Sequence, residues 1–214
     1  MVLVDPAMRH RGIGSLLLRE ALHLLEDMET VRLDATPAGK MVYDKFGFVD
    51  EYCLTRMKAL NPQPRPLSGL ASVRPMAADD LPAVLEYDRK VFGADRSAIL
   101  QGLYQNAPEY ALVFEEDGSI GAFLFGRHGF LAEHMGPLVA HKEFCARALV
   151  SACLDLHRGR RFLLDTPQFS QEWTLWLKSI GFEEERPFIR MFRGSNSYPG
   201  LPEHQFAIMG PEFG

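Results

Sequence analysis

The stretch that decides the fold is Arg9-His10-Arg11-Gly12-Ile13-Gly14, which follows the apolar run Val2-Leu3-Val4 and precedes a helical pattern over residues 15–22. The two glycines let the backbone approach a ligand closely, and the start of a helix presents unpaired N–H groups with a partial positive charge. The arginines add fixed charge, and a guanidinium can hold a phosphate by two parallel hydrogen bonds. This order of strand, basic glycine loop and helix therefore predicts an anion site, with phosphate as its natural ligand.

The residues around this loop limit which phosphate ligand fits. A nucleoside-triphosphate loop needs a lysine directly after its last glycine, and no lysine follows Gly14. A dinucleotide site needs a small residue where Leu17 stands and a tighter turn than the long basic loop from Asp5, although Asp34 lies at the expected distance. The sequence therefore favours an anion loop of another kind, and two alternatives stay open. One is a nicotinamide-dinucleotide site, and the other is a helix that merely begins at a glycine.

The pattern Val4-x-Pro6-x-x-Arg9-x-x-Gly12-x-Gly14 resembles motif A of the GNAT acetyltransferases, whose signature is Gln or Arg, two residues, Gly, one residue, and Gly or Ala. Residues 33–37 and 43–48 follow at the distance expected for motif B. The resemblance implies that the loop holds the diphosphate of acetyl-coenzyme A, a co-substrate, and that N–H groups of the first strand pair with its pantetheine arm and polarise the thioester carbonyl. The cofactor-binding residues implied are Val2, Leu3, Val4, Arg9, His10, Arg11, Gly12, Ile13, Gly14, Ser15 and Thr36, the last standing where the family often has an Asn.

Tyr43 is the candidate catalytic residue. It stands four residues before Gly47, where the family usually has a tyrosine as general acid, and a phenol can protonate the departing thiolate. Its ring could instead be an apolar contact with the hydroxyl at the surface. Asp34 could accept a proton or hold the acceptor amine, although an Asp before Thr-Pro more often caps the following turn. The resemblance gives no general base.

A second copy of the pattern follows a proline-rich segment. Leu164-Asp165-Thr166-Pro167 matches residues 33–37, Gly181-Phe182 matches Gly47-Phe48, and Arg190-Met191 matches Arg56-Met57. We therefore expect an α/β fold with a mixed (α+β) sheet, the GNAT acyl-CoA N-acyltransferase fold. Residues 1–59 would be the C-terminal half of one copy, 60–71 a linker, and 72–214 a second complete GNAT-like copy. A chain that opens on a central strand also suggests a fragment, a late start or a partner that supplies the absent strands.

The second copy lacks the site residues of the first. Leu177 stands where the first copy has Tyr43, and alanines lie near where the glycines would fall. We therefore expect the chemistry in the first copy. Hairpin residues Arg127, His128 and His134, together with Asp95 and Arg96, could line an acceptor pocket, but a solvated hairpin end explains them better. Trp173 and Trp176 are expected in the core.

Two further expectations concern particular elements. The first helix should run over residues 14–28, and residues 205–209 should close the sheet as its last strand. The apolar face of that helix is predicted to consist of Leu16, Leu17, Ala21, Leu24 and Leu25.

Composition excludes several classes of protein. The 214 residues carry a formal net charge of −5 without a basic stripe, which argues against a nucleic-acid partner. Three cysteines without paired spacing indicate reduced core thiols in a cytoplasmic protein and no metal site, and no apolar run approaches a membrane span. The function that the resemblance to the GNAT family implies is transfer of an acetyl group from acetyl-CoA to the primary amine of a small-molecule or peptide acceptor. The alternative is a non-catalytic acyl-CoA-binding protein, and an exposed first strand could pair with a second copy of the chain.

Overall fold

The computed structural model describes residues 4–9, 11–64 and 72–213. The strands within these ranges are β1 (Thr30–Ala35), β2 (Val49–Ala59), β3 (Val73–Pro75), β4 (Leu112–Glu116), β5 (Ser119–Arg127), β6 (Glu133–Ala140), β7 (Phe162–Pro167), β8 (Glu183–Gly194) and β9 (Gln205–Ala207). The α-helices are α1 (Ile13–Leu24), α2 (Pro37–Tyr43), α3 (Leu81–Phe92), α4 (Ser97–Asn106), α5 (Glu143–Leu156) and α6 (Gln171–Ser179).

The described strands form one continuous mixed sheet. Their order is β1-β8-β2-β7-β6-β5-β4-β3, and β9 pairs with β6 outside this path. All the pairs are antiparallel except β6 with β7. This confirms the expected mixed α/β fold, whose division into a half copy and a whole copy stays an interpretation of the internal repeat.

The last long strand of each repeat lies between two strands of the other repeat. Strand β2, from the N-terminal part of the chain, lies between β7 and β8 of the C-terminal part, and β8 in turn lies between β1 and β2. The helical turns before β2 and β8 end at Gly47 and Gly181, whose φ angles of +80° and +99° favour glycine. The two stretches that repeat in the sequence thus contribute neighbouring strands to one sheet.

The buried face of α1 differs from the prediction. Leu18 and Leu22 are buried, whereas Leu16, Leu17, Leu24 and Leu25 are 52%, 47%, 84% and 38% exposed. Leucines surround much of this helix, so the period of the sequence does not select one face. The buried face of α1 is the one that contains Gly14, Leu18 and Leu22, which are spaced four residues apart.

Residues 205–209 join the sheet as expected, and the structure shows that they do so in its interior. Strand β9 pairs with β6, and Ile208 forms a bridge to Asp165 of β7. The segment thus lies between two strands that are neighbours at their other end.

The core confirms one residue prediction and corrects another. Trp173 and Trp176 of α6 are buried and stacked with ring centroids 5.1 Å apart, as expected for core residues. Cys145 and Cys153 are buried, but Cys53 is exposed, so the prediction of three core thiols is wrong for Cys53. In the described part of the chain, none of the helices combines the length and the apolar character needed to cross a membrane.

Candidate active site

The start of α1 is open to a ligand. Gly12 precedes the helix with φ +78°, and no described side chain caps the helix. The first helical backbone bond is from the N–H of Leu16 to the carbonyl of Gly12, at 2.9 Å. The N–H groups of Ile13, Gly14 and Ser15 therefore have no helical partner, and the first turn contains no acidic residue that would offset their positive field.

Two arginines stand beside this helix end with unneutralised charge. Arg9 donates from Nε to the carbonyl of Val4 at 3.3 Å, and Arg11 Nη1 lies 3.1 Å from Met8 Sδ. Both side chains are exposed, and neither takes part in an ion pair with a described residue. Their guanidinium groups are thus available to an anion. The predicted binding residues Val2, Leu3 and His10 lie outside the described residues.

A cavity of ≈ 130 Å³ connects the glycine loop to the candidate acid. It is lined by Val4, Gly14, Leu18, Gly39, Val42 and Tyr43. A β-carbon on Gly14 would lie 3.6 Å from Val4 Cγ2, and one on Gly39 would lie 3.3 Å from Tyr43 Cε2. The structure therefore brings together Val4, Gly14 and Tyr43, and it adds Gly39, which the sequence analysis missed. Its position three residues after Thr36, in the first turn of α2, was the available signal.

Thr36 is engaged in capping α2. Its hydroxyl accepts a hydrogen bond from the N–H of Gly39 at 3.1 Å, and Pro37 is the first residue of the helix. The cap holds the end of α2 that lies next to β1, and it leaves the exposed Thr36 one free acceptor site on its hydroxyl.

Tyr43 has the environment of a protonated donor. The side chain is half-buried, its ring meets that of Phe48 edge-on at 5.9 Å, and its hydroxyl has no partner among the described residues. Burial raises the pKa of the phenol. The hydroxyl thus keeps its proton at neutral pH and can donate it into the cavity.

The Asp34 carboxylate is fully occupied by an ion pair with Arg190, so Asp34 is not a candidate catalytic group. The two carboxylate oxygens accept from Arg190 Nε and Nη2 at 2.9 and 2.8 Å, and the same guanidinium donates to the Tyr52 hydroxyl at 2.9 Å. Burial raises the pKa of Asp34, and the neighbouring Arg190 opposes that change. The expectation that Asp34 caps the turn is wrong, because Thr36 provides the cap and Arg190 occupies the carboxylate.

The equivalent residues of the second repeat form a related buried network. Arg56 donates from Nε and Nη2 to Asp165 at 2.7 and 2.8 Å, and His134 Nε2 lies 3.0 Å from the same carboxylate. Burial acts to raise the pKa of Asp165, but Arg56 and His134 prevail and the pKa is lowered. His134 Nδ1 also lies 2.8 Å from Arg127 Nη2. His134 is only 5% exposed, so the expectation of a solvated hairpin end is wrong for it.

The remaining candidates of the sequence analysis lie elsewhere. Arg96 is buried in a bidentate pair with Asp88, at 2.7 and 2.8 Å, and Asp95 bonds Ser97 at the start of α4. The exposed His128 lies 2.9 Å from both Glu109 and Glu133. None of these residues lines the cavity beside Tyr43. In the parts of the chain that are described, no group of His, Cys, Asp or Glu side chains has the arrangement of a metal site.

Comparison with known proteins identifies the family of the chain. A family model described as an acetyltransferase (GNAT) domain matches residues 84–207, and another of the same description matches residues 1–50. The first match spans more than half of the chain, and the chain belongs to the GNAT acetyltransferase family. The GNAT family expected from the sequence is thus confirmed, and the two matched segments support the internal repeat.

The matches to individual relatives cover almost the whole chain. Holothin acyltransferase of Pseudoalteromonas sp. is 28% identical over 215 residues, which are 99% of this chain and 71% of the relative. The uncharacterized N-acetyltransferase YitH of Bacillus subtilis is 22% identical over 215 residues, 100% of this chain and 75% of the relative. The crystal structure of an acetyltransferase from Pyrococcus horikoshii has a TM-score of 0.77 and 25% identity, and the match covers 97% of this chain and 68% of that one. The chain is therefore an enzyme of the acyltransferase class.

Proposed function

We propose that the chain transfers an acetyl group from acetyl-coenzyme A to a primary amine, with its single active site in the N-terminal repeat. The observation that carries this proposal is the cavity shared by Val4, Gly14 and Tyr43, at the uncapped start of α1. It joins an anion-binding helix end to a half-buried phenol within one small space.

In this proposal the diphosphate lies against the N–H groups of Ile13 and Gly14. Arg9 and Arg11 neutralise its charge, and a charge-assisted hydrogen bond of this kind contributes about 1.5–3 kcal/mol. The pantetheine arm then follows the cavity past Gly39. Acetyl-coenzyme A supplies the activated thioester, and the protein's part is to bind it and to move one proton.

Tyr43 supplies that proton. As the neutral amine attacks the thioester carbonyl, a C–N bond forms, the C–S bond breaks, and the leaving sulfur receives the proton of the Tyr43 hydroxyl. The nitrogen loses one proton to solvent as the amide forms, and the Tyr43 phenolate regains one from solvent, so the products are the amide and free coenzyme A thiol. The raised pKa of Tyr43 keeps this proton in place up to alkaline pH. The acceptor in this proposal is a primary amine, and the similarity to holothin acyltransferase supports acyl transfer as the chemistry.

The test of the binding site is calorimetric titration with acetyl-coenzyme A. We expect Arg9→Ala and Arg11→Ala each to weaken binding by about 10-fold or more, the loss of one charged hydrogen bond. Gly14→Val should abolish binding by filling the cavity beside Val4. Arg19→Ala, an exposed arginine farther along α1, is the matched control and should bind as the wild type does. Unchanged binding in all three loop variants would refute the site.

The test of the reaction is release of free coenzyme A thiol with a panel of amines. Turnover that requires both an amine and acetyl-coenzyme A supports the proposal. Tight binding without turnover for any amine in the panel would instead support the non-catalytic alternative.

A further inference from the structure

The opening between β6 and β7 is filled by the chain itself. These parallel strands pair only at Glu133 with Phe162 and at His134 with Leu163. Beyond that point β9 lies between them: Leu138 of β6 lies opposite Ala207, and the N–H of Ile208 donates to the carbonyl of Asp165 at 2.9 Å. We call the space between β6 and β7, with residues 205–209 inside it, the filled cleft.

The internal repeat gives this cleft its counterpart. Strand β7 corresponds to β1, because Leu164-Asp165 matches Leu33-Asp34 and both aspartates bind an arginine of the exchanged strand. The filled cleft therefore corresponds to the space between Val4 and β1. The proposed function, on which this step rests, places the pantetheine arm beside Val4, in the cavity that runs past Gly39.

The segment in the filled cleft is part of the core. Gln205, Ala207, Ile208 and Met209 are 4%, 0%, 1% and 0% exposed. Ile208 packs in a cluster with Leu54 and Phe188. After this segment the chain is held by an ion pair between Glu212 and Arg127. Displacing residues 205–209 would expose apolar surface and leave the backbone groups of β6 and β7 without partners. The free-energy cost of this displacement opposes the entry of a ligand.

The surroundings of the filled cleft also disfavour coenzyme A. Helix α5, which follows β6, begins with Glu143, whereas the first turn of α1 contains no acidic residue. That carboxylate accepts from Ser170 Oγ at 2.7 Å and pairs with Arg147, so its negative charge is fixed near the helix end. A diphosphate there would meet a like charge. Leu177, at the place of Tyr43, is fully buried and has no proton to give.

We propose that residues 205–209 are a permanent internal occupant of the filled cleft, taking the place that the pantetheine arm has in the N-terminal repeat. The C-terminal repeat is thereby closed to acyl-coenzyme A, and each chain binds one equivalent. Its contribution to the enzyme is strand β8, whose Arg190 holds the carboxylate that precedes Thr36 and α2.

The test combines titration with coenzyme A and amide hydrogen exchange on the whole chain. We expect one equivalent of coenzyme A per wild-type chain and none for Gly14→Val. The amides of residues 206–209 should exchange at least about 100-fold more slowly than in a free peptide, as core strands do. That protection should be equal with and without coenzyme A and in both proteins, which also shows that Gly14→Val is folded.

Three results would overturn the proposal: a second equivalent of coenzyme A, residual binding to Gly14→Val, or loss of protection at residues 206–209 when coenzyme A is added. If wild type binds no coenzyme A at all, the proposed function fails. Hydrogen exchange then decides alone, since protected amides at 206–209 support the internal occupant and exchange at the free-peptide rate excludes it.

Discussion

Arg190 and Asp34 lie directly opposite each other on β8 and β1, joined by two hydrogen bonds of 2.9 and 2.8 Å although 156 residues separate them in the chain. Their counterparts Arg56 and Asp165 are likewise opposite each other, on β2 and β7. Each pair thus joins the aspartate of one repeat to the arginine of the other. Two buried ion pairs thus link the strands of one repeat to those of the other.

The first prediction concerns the cost of breaking one of these pairs. Arg190→Met leaves the Asp34 carboxylate buried without its partner, and we expect a loss of about 3–5 kcal/mol in the free energy of unfolding. Arg190→Met combined with Asp34→Leu should recover much of that loss, because no buried charge is left. Urea denaturation measures both. Arg193→Met, exposed on the same strand, is the control and should change stability by no more than about 0.5 kcal/mol. A small effect of Arg190→Met alone would show that the pair does not hold the exchanged strands.

The second prediction uses the opposite pKa shifts of the two aspartates. The pKa of Asp165 is lowered in the folded chain, so its contribution to stability is present above the unfolded value of about 4 and is lost as the pH falls through the folded value. Asp165→Asn should therefore be less stable than wild type at pH 7 but should lose less further stability between pH 7 and pH 3. Urea titrations at a series of pH values measure this.

Asp34 is the matched comparison, since burial raises its pKa. A raised folded pKa contributes stability below the unfolded value and loses it as the pH rises through the folded value, so wild type gains from Asp34 on acidification. Asp34→Asn should accordingly lose at least as much stability as wild type between pH 7 and pH 3. The same acid response in Asp165→Asn and Asp34→Asn would contradict the assigned shifts.

The third prediction addresses Tyr43 as proton donor. Tyr43→Phe should lower kcat by about 100-fold or more, the usual range for loss of a general acid, with binding of acetyl-coenzyme A unchanged. Because the pKa of Tyr43 is raised, wild-type activity should show no alkaline decline below about pH 10. Tyr198→Phe, at an exposed tyrosine, is the control. A kcat retained by Tyr43→Phe would reduce the side chain to an apolar contact with Phe48.

The fourth prediction concerns the width of the cavity. A side chain at position 39 would press against Thr36 Oγ1 and Tyr43 Cε2, both 3.3 Å from the β-carbon position. Gly39→Val should therefore lower kcat/KM by about 10-fold or more by shifting the donor hydroxyl and narrowing the cavity. Gly102→Val, in α4 with open space around its β-carbon position, adds the same side chain to a helix away from the cavity and should keep its kcat/KM. Equal losses in the two variants would point to helix destabilisation rather than to the cavity.

Local sequence signals predicted most elements of the fold. The glycine loop, the turns at Gly47 and Gly181, and the repeated Leu-Asp and Arg-Met pairs all depend on residues close in the chain, and they located both repeats. The exchange of β2 and β8 was not predicted, because the two strands carry the same pattern and either could pair within its own repeat. The choice depends on contacts such as Arg190 with Asp34, which the sequence does not rank.

The candidate site was predicted only in part, for a similar reason. The loop was predicted from its residues and Tyr43 from the resemblance to the GNAT family, and the structure places Gly14 and Tyr43 on one cavity. The role of Asp34 was missed because its partner lies on a strand of the other repeat. The neighbours of residues 205–209 were not specified, because their apolar pattern suits an interior strand at any place in the sheet.

The most direct test of the central claim is a crystal structure of the chain with acetyl-coenzyme A bound. We predict diphosphate oxygens at about 3 Å from the N–H groups at the start of α1, and the thioester sulfur beside the Tyr43 hydroxyl. A cofactor bound between β6 and β7 with residues 205–209 displaced, or a diphosphate away from the start of α1, would contradict the account.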